Sequence, residues 1–345
     1  MRFTRRLPLL RRLSSLSALS LVGAALLMAG CSTDTPTDTG SGSSAELPAT
    51  AFSITPGAMS AAKTSLHQVV RTLGTLSNRQ LLGSGKAGAL GGGGGGDDNG
   101  VINSPLDLTY VGGPVVTTAR NWNIYVNCPT TAADCWGNGQ LGPGTFLRDL
   151  NRSSFIGVVN QYLGSSAYGQ FPTSDLSLNA TFTDTALTLN DIYSIVYSAS
   201  LFTGASGYNN IFHVFLTQGQ DMCISPTVCY SPDNFNTWVF CAFHGSVDVG
   251  TTHLLYSVEP YQGVAGCEFP THVPHGLIDA TTSTLSHEFF ETISDPDLDA
   301  WFNVLTQDEM ADLCAGFANN ERIGHHYYSI QLEYSNAVHA CTDGA

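Results

Sequence analysis

Apolar and polar residues alternate along several short stretches after residue 101, which predicts a series of β-strands. Three longer stretches, at 146–163, 189–200 and 278–294, instead repeat their apolar residues every three or four positions, which predicts helices. Because strands and helices interleave, we expect a single layered α/β (or α+β) domain, with a mixed sheet and packed helices. The predicted strands are 106–111, 122–127, 176–182, 211–216, 238–243, 254–258 and 327–334.

The first hundred residues have other patterns, and the folded domain is expected at 101–345. Residues 1–30 combine five arginines with an apolar run too short to span a membrane, as in a secretory signal peptide. Residues 31–58 are predicted to be a disordered polar tether. Apolar residues recur at helical spacing in 59–82, and the Gly-rich stretch 83–100 is predicted to be a linker.

The predicted signal ends in Leu27-Met28-Ala29-Gly30-Cys31, which resembles a lipobox, the site where a cysteine is acylated and becomes the new N-terminus. We therefore expect an exported lipoprotein of the bacterial cell envelope, held on the membrane by Cys31, with an ordinary cleaved signal as the alternative. Loss of residues 1–30 removes five arginines and no acid, which changes the formal charge from −15 to −20. This charge argues against nucleic acid as a partner and is compatible with cation binding.

Eight cysteines follow Cys31, and an even number in an exported chain predicts disulfides. Close spacing favours the pairs Cys128–Cys135 and Cys223–Cys229. The sequence does not decide how the other four pair. These are Cys241, Cys267, Cys314 and Cys341.

The clearest candidate chemistry is in the helix predicted at 278–294. His287 and Glu291 are four residues apart, so their side chains meet on one face of a helix. His-Glu-x-x-His helices bind zinc in this way, and here Glu291 takes the place of the second histidine. Glu288 would then be the catalytic base that polarises a metal-bound water.

Such a metal needs a third ligand, and two acidic residues are candidates. Asp295 continues the row formed by His287 and Glu291, and Glu309 lies downstream at a distance like that in gluzincin peptidases. In those enzymes an Asp one turn after the ligand orients the first histidine, which is the position of Asp312 here. This pattern predicts a zinc-dependent, peptidase-like hydrolase, and a zincin-like arrangement within the α/β class.

Two alternatives stay open for the acidic helix. It could present a solvated acidic face in a non-catalytic exported module that binds an unknown peptide or glycan partner. It could also hold calcium, because Asp295, Asp297 and Asp299 alternate as at the start of an EF-hand loop. Pro296 and Ala300 depart from the EF-hand pattern, so only a looser calcium site remains.

Other histidines are weaker candidates for a functional role. His244 follows a buried-looking strand and could support the site, although a core histidine bonded to the backbone is favoured. His272 and His275 precede the acidic helix and could be ligands, with a loop pair as the default. Catalysis by a Ser-His-Asp triad has no signal, because no Gly-x-Ser-x-Gly turn occurs.

Several motifs follow one another in an order that can be compared with a known family. They are Val111-Gly112-Gly113-Pro114-Val115, Val214-Phe215-Leu216-Thr217, Cys241-Ala242-Phe243-His244-Gly245, His287 to Trp301, and Asp312-Leu313-Cys314. Together they resemble the EXORDIUM (phosphate-induced protein) family of extracellular proteins over most of 106–341. The segment ending at Trp301 resembles bacterial members, because plant members lack a counterpart of His287-Glu288, and we expect Trp301 to support the site. The resemblance implies secretion but no reaction.

Overall fold

A computed structural model of the chain describes residues 50–54, 62–63, 106–182, 186–268 and 276–344. The predicted signal peptide, Cys31, the Gly-rich linker, His272 and His275 lie outside the described residues. Of the helix predicted at 59–82, only Ala62–Lys63 is described. These two residues form a short strand instead, because their backbone pairs with the edge of the main sheet.

The described residues form sixteen strands and five α-helices. The strands are β1 Thr50–Phe52, β2 Ala62–Lys63, β3 Thr109–Tyr110, β4 Arg120–Val126, β5 Thr173–Leu178, β6 Ala186–Thr188, β7 Asn210–Phe215, β8 Asp221–Ser225, β9 Val228–Tyr230, β10 Phe243–Val249, β11 Thr252–Glu259, β12 Trp301–Phe302, β13 Ala318–Ile323, β14 His326–Gln331, β15 Glu333–Ser335 and β16 Ala340–Thr342. The helices are α1 Ala132–Trp136, α2 Pro143–Leu150, α3 Asn160–Leu163, α4 Leu189–Thr203 and α5 Leu277–Ser294.

Seven strands make one mixed sheet in the order β1-β5-β4-β7-β11-β10-β2. The five strands from β1 to β11 in this order run parallel, and β10 and β2 are antiparallel to their neighbours. The central strands are buried on both faces, as expected for parallel strands covered on two sides. The predicted mixed α/β class is therefore confirmed.

Each face of the sheet has its own hydrophobic core. Because side chains alternate along a strand, Tyr125 of β4 packs into one core and the adjacent Ile124 packs into the other. The first core contains residues of α2, α3 and α5 and of the C-terminal strands. The second contains residues of α4, β8 and β9. Helix α5 therefore lies against the sheet on the first face, where it also contacts β14.

Two of the predicted elements differ most from the structure. The helix predicted at 146–163 is interrupted: α2 ends at Leu150, a 3-10 turn spans Phe155–Val159, and α3 follows. Just after α2, Asn151 Oδ1 accepts a hydrogen bond from Phe171 N. The strand predicted at 238–243 is also wrong, because β10 begins only at Phe243.

All eight cysteines after Cys31 form disulfides. The two predicted pairs, Cys128–Cys135 and Cys223–Cys229, are confirmed. The pairing that the sequence left open is Cys241–Cys267 and Cys314–Cys341. Four disulfides are consistent with an extracellular protein. In the part of the chain that the structure describes, none of the helices has the length and apolar character needed to cross a membrane.

Candidate metal centre

Helix α5 is buried along almost its entire length. Leu285, Phe289 and Ile293 pack into the first core, as the helical spacing predicts. The opposite side carries His287, Glu288 and Glu291, which are all but inaccessible to solvent. The alternative of a solvated acidic face is therefore wrong. Buried charged groups are costly unless they are paired or bind a metal, so this side of the helix needs a chemical explanation.

His287 faces two carboxylates through its Nε2 atom. This atom lies 3.3 Å from Glu291 Oε2, one helical turn away, and 3.7 Å from Asp312 Oδ1. Asp312 belongs to a 3-10 turn, Asp312–Cys314, whose first backbone N–H donates to Glu291 Oε1 at 3.1 Å. The predicted helical pair is thus brought together, and Asp312 joins it as a potential ligand.

His244 enters the same region from β10. Its Nδ1 lies 3.2 Å from Glu288 Oε2 and 3.6 Å from Glu291 Oε2. Its Nε2 lies 3.6 Å from Glu309 Oε1. The sequence favoured a core histidine bonded to the backbone. His244 instead has a carboxylate near each of its two ring nitrogens.

These side chains form two groups with the spacing of metal ligands. His287, Glu291 and Asp312 form one group, and His244, Glu291 and Glu309 form the other. In each, the potential ligand atoms lie within 4.8 Å of one another. Atoms around a tetrahedral zinc are about 3.3–3.6 Å apart, because zinc–ligand bonds measure about 2.0–2.2 Å. Most of the nitrogen–oxygen distances given for His287 and His244 are close to this range, and they are longer than ordinary hydrogen bonds.

Both histidines present a nitrogen that lacks a hydrogen bond. His244 Nε2 and His287 Nε2 are buried and have no hydrogen-bond partner among the described residues. A buried polar atom without a partner is costly, so such atoms are uncommon in folded proteins. A cation bound between each nitrogen and its neighbouring carboxylate would remove this cost.

The other nitrogen of His287 is held by Gln331 of β14. The amide of Gln331 contacts His287 Nδ1, with Oε1 at 3.4 Å and Nε2 at 3.1 Å, and Nε2 also donates to Ala311 O at 2.8 Å. Metal-bound histidines commonly donate their second N–H to an outer group, and Gln331 Oε1, at 3.4 Å, is the atom that could accept it. The gluzincin-like spacing predicted this orienting role for Asp312, whereas Gln331 has no local signal because the contact spans 44 residues.

The cluster retains protons strongly. Burial lowers the pKa of His287, but the nearby carboxylates of Glu291, Glu288 and Asp312 outweigh burial and raise it well above the ordinary value. The pKa of His244 is raised as well, since hydrogen bonding and charge from Glu288 outweigh its burial. Burial raises the pKa of Glu288. A divalent cation would displace these protons, as metal binding usually does.

The structure does not bring Asp295 into either ligand group. Helix α5 ends at Ser294, and Asp295 has an extended φ of −148°, so its side chain no longer follows the helical row. Its Oδ1 accepts a hydrogen bond from Ala300 N at 2.7 Å. Burial raises the pKa of Asp295 to about 6.

Two further residues of interest make contacts outside the ligand groups. Asp297 pairs with His253, with 3.3 Å between Oδ1 and Nε2, and accepts a hydrogen bond from the Tyr208 hydroxyl. Trp301, predicted to support the site, donates from Nε1 to Tyr162 O at 2.9 Å and packs against the Tyr110 ring. Its contacts hold the segment after α5 to the rest of the domain.

Comparison with protein-family models, with curated proteins and with solved structures gives no match for this chain. The resemblance to the EXORDIUM family therefore stays a prediction. Any functional conclusion has to come from the residues of the site.

Proposed function

We propose that the protein is an exported zinc-dependent hydrolase of the bacterial cell envelope, attached to the membrane by a lipid on Cys31. His287, Glu291 and Asp312 would hold the zinc, and Glu288 would activate water. The observation that supports this most is the buried His287 Nε2, which has no hydrogen-bond partner in the described part of the chain and faces carboxylates at 3.3 Å and 3.7 Å.

The donor atoms favour zinc over calcium. Calcium binds oxygen ligands, usually six to eight of them, whereas zinc accepts imidazole nitrogen together with carboxylate oxygen in sites of four ligands. Both groups here contain a histidine. The three alternating aspartates do not form a separate calcium site, because the Asp295 carboxylate accepts a hydrogen bond from Ala300 N and Asp297 pairs with His253.

Glu288 has the properties expected of a general base. It lies next to His287 in the sequence, it is buried, and its Oε2 is 3.2 Å from His244 Nδ1. Burial raises its pKa, which moves a carboxylate towards the range in which it can accept a proton from water near neutral pH. A His-Glu pair within a metal-binding helix is the arrangement that suggests peptidase-like chemistry on a peptide substrate.

A second candidate is a non-catalytic binding module with a structural metal. One observation favours it: exposure of the potential ligands ranges only from 0% for Glu291 to 6% for Asp312. Structural zinc sites are closed in this way, whereas catalytic sites keep one position open to water or substrate. Such a module would bind a peptide or glycan on another surface.

The two candidates are separated by the variant Glu288→Gln. The probe is quenched fluorescent casein, incubated with the zinc-loaded full chain. If the protein is a zinc-dependent hydrolase, chelator should stop cleavage of the casein. The cleavage rate should also fall at least about 100-fold in Glu288→Gln, because a general base contributes about that much. The zinc held by His287 should be retained, and Glu268→Gln, which removes an exposed acid, should retain activity. Equal rates in wild type and Glu288→Gln would refute the catalytic role.

A further inference from the structure

The two ligand groups share one residue, Glu291. We propose that the centre holds two divalent cations bridged by the Glu291 carboxylate. The first is the zinc of the proposed function, on which this inference rests, with His287 and Asp312. The second lies between His244 and Glu309.

The distances place Glu291 between the two histidines. Its Oε2 atom is 3.3 Å from His287 Nε2, and its carboxylate also offers an oxygen within 4.8 Å of a His244 nitrogen and a Glu309 oxygen. The histidines come from different elements, α5 and β10, so the carboxylate connects two sides of the cluster. Bridging carboxylates are a usual feature of two-metal sites, whose ions are about 3.5–4 Å apart and together bind the attacking and leaving oxygens.

A single cation would leave the second histidine unexplained. His244 Nε2 is buried, lacks a hydrogen-bond partner among the described residues, and lies 3.6 Å from Glu309 Oε1. Its ring is fixed from the other side by Glu288, 3.2 Å from Nδ1. This is the arrangement of a metal-bound histidine whose second nitrogen donates to a carboxylate.

The charge of the cluster can also accommodate two cations. The carboxylates in contact with the two histidines are Glu288, Glu291, Glu309 and Asp312, which carry four negative charges when ionised. All four are buried, where uncompensated charge is strongly unfavourable. One divalent cation would compensate half of this charge, whereas two would compensate all of it.

The test is the metal stoichiometry of the full chain. The protein is stripped with chelator, reloaded by dialysis against zinc, and analysed for bound zinc per chain. Two ions are expected in the wild type and in the control Glu268→Gln. One ion is expected in Glu309→Gln and one in Asp312→Asn, because each variant removes a ligand of one group only. Near-ultraviolet circular dichroism confirms that each variant is folded.

Cobalt substitution tests the bridge itself. Two Co²⁺ ions joined by Glu291 should be magnetically coupled, which weakens their electron paramagnetic resonance signal relative to two isolated ions. Glu309→Gln should restore the signal of one isolated ion. One zinc per wild-type chain would overturn the proposal, as would two zinc ions that Glu309→Gln leaves in place.

The metal count and the hydrolysis assay together distinguish failure of the second ion from failure of the hydrolase proposal. One zinc per chain with hydrolysis that depends on Glu288 would overturn the second ion and leave the hydrolase intact. Two coupled ions without hydrolysis would support the second ion and refute the hydrolase. No bound zinc would overturn both.

Discussion

The substitution Glu291→Gln tests how far the stability of the fold depends on the metal centre. Glutamine has nearly the same shape, so it keeps an oxygen that can accept the hydrogen bond from Asp312 N. It removes the charge from the one residue that belongs to both ligand groups. We therefore expect a folded protein whose affinity for zinc is strongly reduced.

The size of the effect follows from binding linkage. Loss of an outer-shell partner weakens metal binding about 10- to 100-fold, so loss of a charged ligand should cost about 100-fold or more. With free zinc at 100 times the wild-type Kd, binding stabilises the wild type by about 2.7 kcal/mol. The variant would then be near its own Kd and would gain only about 0.4 kcal/mol.

The assay is thermal unfolding of the full chain with and without chelator. For a folded domain of this size, about 1 kcal/mol corresponds to about 2–4 °C in Tm. Chelator should therefore lower Tm by about 5–11 °C in the wild type and by about 1 °C in Glu291→Gln. The exposed control Glu268→Gln should behave as the wild type. A chelator effect of equal size in Glu291→Gln and wild type would refute the reasoning.

Three other predictions concern the surroundings of the site. Gln331→Leu should weaken zinc binding about 10- to 100-fold in a calorimetric titration, because the ring of the metal-binding histidine loses its partner. Replacing Cys314 and Cys341 with serine should cost about 3–4 kcal/mol in urea unfolding, since the disulfide closes a loop with a sequence separation of 27. The carboxylates of Asp297 and Asp248 raise the pKa of His253, so these contacts stabilise the fold below pH of about 6.5, and their contribution is lost as pH rises through the higher folded pKa. His253→Gln should accordingly cost about 0.5–1 kcal/mol at pH 5 and less at pH 9, and an equal cost at both would contradict this.

Local patterns predicted the central helix well and its surroundings poorly. The apolar spacing that places Leu285, Phe289 and Ile293 on one face also fixes where His287 and Glu291 must lie, so this part follows from periodicity alone. Asp295 continues the same row only if the helix continues. Pro296 disfavours a helical conformation at Asp295, and the row ends there.

The remaining site residues depend on contacts between distant segments. His244 comes from β10 and Gln331 from β14, and each is 44 residues from the helix residue that it contacts. No local spacing encodes such pairs, because they result from the order of strands in the sheet and from the packing of the C-terminal strands on α5. The pairing Cys314–Cys341, which holds the turn containing Asp312, could not be derived from the sequence for the same reason.

The most direct test of the account is the zinc content of the purified full chain, measured by elemental analysis in wild type, His287→Ala and the exposed control His325→Ala. The account predicts at least one zinc ion per chain in the wild type and in His325→Ala, and a loss of at least one ion in His287→Ala. No zinc or other transition metal in the wild type, or the same content in His287→Ala, would contradict it.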